Sequence, residues 1–116
     1  MTMNNVLSLL GFARKSGSLV PGETLCEQGI KSKKISLLII AEDINASTKE
    51  RMMRLCESEG VAYRVISDKE SLSKAIGKDN YGLFGVTNKK FSRALISKID
   101  AQLPEVKQCQ KPESMN

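Results

Sequence analysis

Leu37-Leu38-Ile39-Ile40-Ala41 is the stretch that decides the fold. Five apolar residues in unbroken succession suit a strand buried on both faces, because a strand with one face in water would alternate. Downstream, Ser47 and Glu50 stand at the spacing of a capping box and predict a helix carrying Met52, Leu55 and Cys56, which Gly60 stops. Val61 to Ile66 reads as the next strand. Ser67 with Glu70 repeats the capping pattern before a short helix with Leu72, Ala75 and Ile76, ended by Gly77. Leu83, Phe84 and Val86 form a further strand, and Asn88 caps a last helix that buries Phe91, Ala94, Leu95 and Ile99.

Upstream of the central run, Val6, Leu9, Leu10 and Ala13 recur at helical spacing and predict an amphipathic helix ending near Gly17. Ser18 to Val20 is a short extended piece. Pro21 and Gly22 then open a second helix, on which Leu25, Cys26, Gly29 and Ile30 share a face and Glu23 complements the helix dipole in the first turn. Strands alternating with helices imply a largely parallel sheet covered on both sides, an α/β fold of the three-layer α/β/α sandwich type. The 116 residues fit a single domain, placed at residues 1–100. Periodicity fades after Asp100, and Pro104 and Pro112 among Gln, Lys and Ser mark residues 101–116 as a flexible tail.

Composition narrows the function classes. The 41% hydrophobic and 27% charged content is that of a soluble globular protein, and no apolar run approaches the ~18 residues of a membrane span. Without a secretory signal pattern at the start, the expected location is the cytoplasm. Cys26, Cys56 and Cys109 are odd in number, widely spaced and free of C-x-x-C, which argues for reduced thiols over disulfides or zinc. There is no histidine, the side chain most used for proton transfer near neutral pH and for activating Ser or Cys nucleophiles, so an enzyme is disfavoured. The net charge of +5 is unevenly spread. Arg14–Lys34 holds five basic and two acidic residues, Lys89–Asp100 four and one, while Glu42–Glu59 holds three basic and five acidic. Two basic poles around an acidic middle are what a polyanion-binding protein shows, and also what solvated surface lysines produce.

In open α/β sheets, ligands gather where strands end and helices begin. Gly22 with the first-turn amides of Glu23 and Thr24 is one such place, although an ordinary helix start has the same pattern. Lys31, Lys33 and Lys34 are suited to gripping phosphates, or to decorating a solvated helix end. Glu42 and Asp43 raise a receiver-like phosphoacceptor domain with a magnesium-binding acidic pair. That reading fails at Tyr81-Gly82-Leu83-Phe84-Gly85, where the acceptor Asp would be needed. No phosphate-binding loop motif is present, and two Tyr, three Phe and no Trp leave little for stacking on single strands.

The ordered segments "LLGFARKSGSLVPGETL", "KISLLIIAEDINASTKERMMRLCESEGVAYRVI", "LSKAIGK" and "GLFGVTNKKFSRALI" together resemble the bacterial YlxQ-like branch of the L7Ae/L30e ribosomal-protein superfamily, whose better-known members bind kink-turn RNA. The likeness runs from about Val6 to Ile99. It implies an α/β/α sandwich around a four-stranded mixed sheet, with Ser18 to Val20 supplying the small first strand. It implies no catalysis and no cofactor, and a structured RNA partner, rRNA or a kink-turn, in the setting of the ribosome or translation factors. In the kink-turn binders the loop and helix start read G-x-N-E-x-x-K, where Asn and Glu read sheared G·A edges and Lys meets phosphate. The matching positions here are Gly22, Thr24, Leu25 and Gln28, so an acceptor and a charge are missing. The YlxQ-like pattern G-E-x-L implies instead that Leu25 turns toward the fold. The second RNA-facing loop falls on Gly77, Lys78, Asp79 and Asn80, and the acidic position after the central strand on Asp43. Phosphate contacts would come from Arg14, Lys15, Lys31, Lys33, Lys34 and Lys78, around Gly22, Glu23 and Thr24. The competing reading is a protein-interaction module of the translation or RNA-processing machinery that kept the fold and lost the RNA site.

Overall fold

The structure, a computed structural model, describes residues 3–77 and 81–102. Among these residues five helices and four strands alternate: α1 (Met3–Lys15), β1 (Leu19–Pro21), α2 (Glu23–Lys31), β2 (Leu37–Ile40), α3 (Ala46–Glu59), β3 (Ala62–Val65), α4 (Lys69–Ile76), β4 (Leu83–Val86) and α5 (Lys89–Gln102). The strands form one mixed sheet in the order β1-β4-β2-β3. Only β2 and β3 are parallel. β4 runs antiparallel to both of its neighbours, which corrects the expectation of a largely parallel sheet. The physical reason is that β4 starts at the same end of the sheet at which β3 stops, Ile40 lying opposite both Val65 and Leu83, so the chain between them makes no crossover to the far end, a choice that strand-helix alternation alone does not encode.

The run at Leu37–Ile40 is buried throughout, and its pleat divides it between two cores. Leu37 and Ile39, with Phe84 and Val86, face α1, α4 and α5 through Val6, Leu10, Leu72, Ile76, Leu95 and Ile99. Leu38, Ile40 and Leu83 face the opposite way, against Cys26 and Ile30 of α2 and Met52 and Cys56 of α3. Unbroken hydrophobicity is thus two interleaved period-two patterns, one for each layer. On the second face Gly85 leaves the space Ile35 fills: a Cβ there would lie 2.3 Å from Ile35 Cδ1.

Helix ends follow the sequence in part. Gly60 and Gly77 take the left-handed conformation that stops α3 and α4, and Asn88 Oδ1 accepts from the backbone N–H groups of Lys90 and Phe91. The two expected capping boxes do not form. α3 is capped two residues earlier by Asn45, whose side chain accepts from Ser47 and Thr48, while Glu50 pairs with Arg54. α4 is capped by Asp68, which accepts from both the backbone N–H and the hydroxyl of Ser71, while Glu70 pairs with Lys74. Asn and Asp were better placed than the serines, since Asn45 reaches the second and third amides of its helix and Asp68 the third. α5 continues through Gln102; the remainder of the expected tail lies outside the described residues.

Candidate functional site

The sheet has two ends. At one, β1, β2 and β3 finish and β4 begins, with Pro21 opposite Phe84 and Ile40 opposite both Leu83 and Val65. This Gly22 end collects the starts of α2, α3 and α4. At the other, the Val86 end, Leu19 and Leu37 both face Val86.

Gly22 follows the edge strand β1 at the first end. Its backbone sits at φ 93°, ψ 153°, and no side chain caps the helix behind it. The N–H of Gly22 donates to Leu83 O (3.0 Å) and its carbonyl accepts from Cys26 N (3.0 Å), so the turn is fixed from both directions. The first-turn amides of Glu23 and Thr24 follow this fixed turn without a side-chain cap. A cleft of about 230 Å³ opens beside them, lined by Gly22, Asn45, Thr48, Lys69 and Tyr81 among others. The Tyr81 ring packs over Gly22 and meets Phe84 edge-on, with centroids 6.4 Å apart. Buried Ser73 bonds both the N–H and the carbonyl of Tyr81, anchoring the far side of the second expected loop. Of that loop Gly77 is the αL cap of α4, whereas Lys78, Asp79 and Asn80 lie outside the described residues.

The expected site residues separate into groups. Gly22, Glu23, Thr24 and Gln28 share the α2 surface, with Thr24 and Gln28 exposed. Glu23 is tied by Arg51, which also reaches Glu27 at 3.3 Å, so the carboxylates on α2 are neutralised from α3. Leu25 does not turn inward. It is 52% exposed, because Cys26 and Ile30 carry the buried seam and Leu25 lies on the Gln28 side of it. Asp43 is used structurally, accepting from the backbone N–H of Lys69 at 2.8 Å and joining the β2–α3 loop to the start of α4. Lys49 donates to the Glu42 carbonyl, and the described residues contain no cluster of acidic, Cys or His groups able to hold a metal.

Lys31, Lys33 and Lys34 fall at the opposite end, about 13 Å away along the nine residues of α2 at 1.5 Å per residue. Lys31 pairs with Glu27 (3.2 Å), and Lys33 with both the carboxylate (3.2 Å) and the carbonyl (2.5 Å) of Glu59. Two of the three expected phosphate ligands are therefore already engaged. Lys15 also ends α1 at the Val86 end. Arg14 lines a hollow of about 290 Å³ with Leu19, Pro21 and Ile76, which places it along the β1 edge between the two ends. Ser73 and Arg51 went unnoticed in the sequence, and Tyr81 was not singled out as a site residue: each acts through a partner outside its own element, and none belongs to a binding motif.

The chain matches the model of the Ribosomal protein L7Ae/L30e/S12e/Gadd45 family over residues 4–96. It belongs to that family. As a member of the L7Ae/L30e family it is similar to RNA-binding protein YlxQ of Bacillus subtilis, 29% identical over 92 residues, covering 79% of this chain and 92% of that one. It is also similar to large ribosomal subunit protein eL8 of Cenarchaeum symbiosum, 24% identical over 106 residues, covering 90% and 84%. Among solved structures of the L7Ae/L30e fold, a Bacillus halodurans protein whose function is given as unknown superposes with TM-score 0.80 at 32% identity, covering 82% of this chain and 96% of that one.

Proposed function

We propose that this chain is a non-catalytic RNA-binding protein of ribosomal-protein type, which docks structured RNA, either rRNA or a sharply kinked helix, against the start of α2. The observation that carries this reading is Gly22: it occupies the family's glycine position and mounts an uncapped helix start beside exposed Thr24 and Gln28. Helix starts of this kind favour phosphate oxygens through free amides and the macrodipole. The relatives support the class of partner, one named an RNA-binding protein and one a ribosomal-subunit protein, and a ribosomal role would place the chain in the cytoplasm. No helix among the described residues is long and apolar enough to cross a membrane.

Among the described residues, the ionisable groups that shift are ones held by burial or by a helix cap. Burial pushes the Cys26 and Cys56 thiols up to about 12, burial and Glu57 push Tyr63 up to about 12, and the Ser71 bonds hold Asp68 down.

Recognition in this reading is led by shape and backbone. Leu25 stands where kink-turn binders offer a carboxylate, so sheared G·A edges are met by the Thr24 hydroxyl, the Gln28 amide and backbone amides. Such contacts position more than they specify. The exposure of Leu25 also favours one alternative, an apolar protein contact at the same surface. Crosslinking the protein to RNA in its own cells and sequencing the bound fragments separates the two, with a Thr24→Glu, Gln28→Glu variant as control. A few structured sites enriched over the control support RNA docking; equal recovery from both proteins favours the protein contact.

A further inference from the structure

The Val86 end carries the chain's second basic pole, and the charges that α5 brings to it are not explained by stability. Thr87 N–H donates to Ser18 O at 2.9 Å, and Ser36 meets Val86 O through its N–H (2.8 Å) and Ser92 Oγ through its hydroxyl (2.5 Å). These bonds bring the end of α1, the α2–β2 turn and the start of α5 together. Lys15, Lys34, Lys89, Lys90 and Arg93 are all exposed there, and among the described residues none has an acidic partner. The nearby acids are occupied, Glu59 by Lys33 and Glu57 by the Tyr63 hydroxyl at 2.7 Å.

Cations at the ends of α1 and α2 complement the helix dipole and need no further account. Those on α5 are different. Lys89 and Lys90 occupy its first turn, where the dipole is positive, and no acidic residue stands there to offset them. Arg93 is four residues from Lys89, on the same face, where like charges repel. Two cations placed against the dipole, with a third repelling them from the next turn, make the fold less stable than neutral residues would. An arrangement of that sort is relieved by a bound polyanion.

We propose that Lys89, Lys90 and Arg93, joined by Lys34 and Lys15, form a second phosphate-binding surface for RNA. It rests on the RNA-docking reading above and extends it. The two surfaces lie at opposite ends of the sheet. A domain with a docking site at Gly22 and a phosphate grip at α5 holds two segments of a folded RNA together.

The test uses the full chain and two fluorescein-labelled probes, an RNA hairpin with an internal loop of tandem G·A pairs and an uninterrupted RNA duplex. Affinity is followed by anisotropy against salt concentration for the wild type, for the Lys89→Gln, Lys90→Gln, Arg93→Gln triple variant and for Gln28→Glu. Each phosphate released from contact removes about 0.7 to 0.9 from the slope of log affinity against log salt, so the triple variant is expected to be shallower by about two to three. Its melting temperature is expected to equal or exceed that of the wild type. Gln28→Glu should weaken the hairpin more than the duplex. Unchanged slope and affinity in the triple variant, with the wild type binding, overturns the second surface alone. Binding of neither probe by the wild type overturns the docking reading and this one together. A lower melting temperature in the triple variant gives these residues a structural role and also overturns the proposal.

Discussion

Replacing Gly22 by alanine perturbs the backbone on which the docking site is mounted. At φ 93° and ψ 153° the residue lies in a region that is almost the preserve of glycine, and holding another residue there costs about 1–3 kcal/mol. Space is not the obstacle, since the added Cβ would meet Tyr81 Cε1 at an ordinary 3.5 Å. Relaxation is blocked by the bonds to Leu83 and Cys26, both at 3.0 Å. For a domain near 100 residues this predicts a melting temperature lower by roughly 5–15 °C. Urea unfolding reads the free energy, with an unchanged denaturant slope. Gly60 provides the comparison: at φ 74°, ψ 29°, with nothing within 4 Å of a Cβ, it accepts asparagine with less loss than Gly22 does. A Gly22→Ala protein within about 0.5 kcal/mol of wild type would refute the idea of a rigidly imposed turn, given the strain expected in that region. So would equal losses for Gly22→Asn and Gly60→Asn.

Further outcomes follow from the same packing. Gly85→Ala forces a Cβ against Ile35 and should destabilise by about 1–3 kcal/mol, with Ile35→Val, which removes the closest atom, recovering part of the loss in a double-mutant cycle; additive effects would count against the contact. Asn45→Ala strips the cap of α3 and should lower stability by about 1 kcal/mol in urea titration, with no loss if Ser47 takes over. Arg64 grips Asp100 through Nε (2.8 Å) and Nη2 (3.0 Å), joining β3 to α5, and Asp100→Ala should cost about 1.5–3 kcal/mol unless Arg64 is replaced as well. The thiols set an alkaline limit. Because folding raises them from 9.0 to about 12, their contribution is complete below pH 9 and is lost as pH rises toward 12, a decline that stability measured against pH should show and that Cys26→Ala, Cys56→Ala should flatten.

What could be read from sequence was whatever is local. Leu37–Ile40 announced its double burial because both faces of the strand are written in consecutive residues, and Gly60, Gly77 and Asn88 announced helix ends because caps depend on one residue's geometry. Strand direction was less accessible: β4 enters between β1 and β2, a choice made by packing across the whole sheet. Capping boxes misled, since Ser47 and Ser67 have the right spacing but Asn45 and Asp68 stand nearer the amides. At the candidate site Gly22 was visible as a glycine before a helix. That Leu25 faces solvent was not, because Cys26 is small and only the packing of α2 on α3 shows it, with Ile30, to be the buried seam. Lys31 and Lys33 looked like free cations until their partners, Glu27 and Glu59, were seen beside them, Glu59 twenty-six residues from Lys33.

The central claim, RNA docked at the start of α2, is tested most directly by a photo-crosslinking benzophenone residue placed at Gln28, with the same residue at Arg54 on the exposed side of α3 as control. The purified protein is irradiated with total RNA from its own cells and the adducts are sequenced. The account predicts that position 28 joins a small set of structured RNA segments, with bends or internal loops, and that position 54 does not. RNA adducts in equal yield from both positions, or none from position 28, would contradict it.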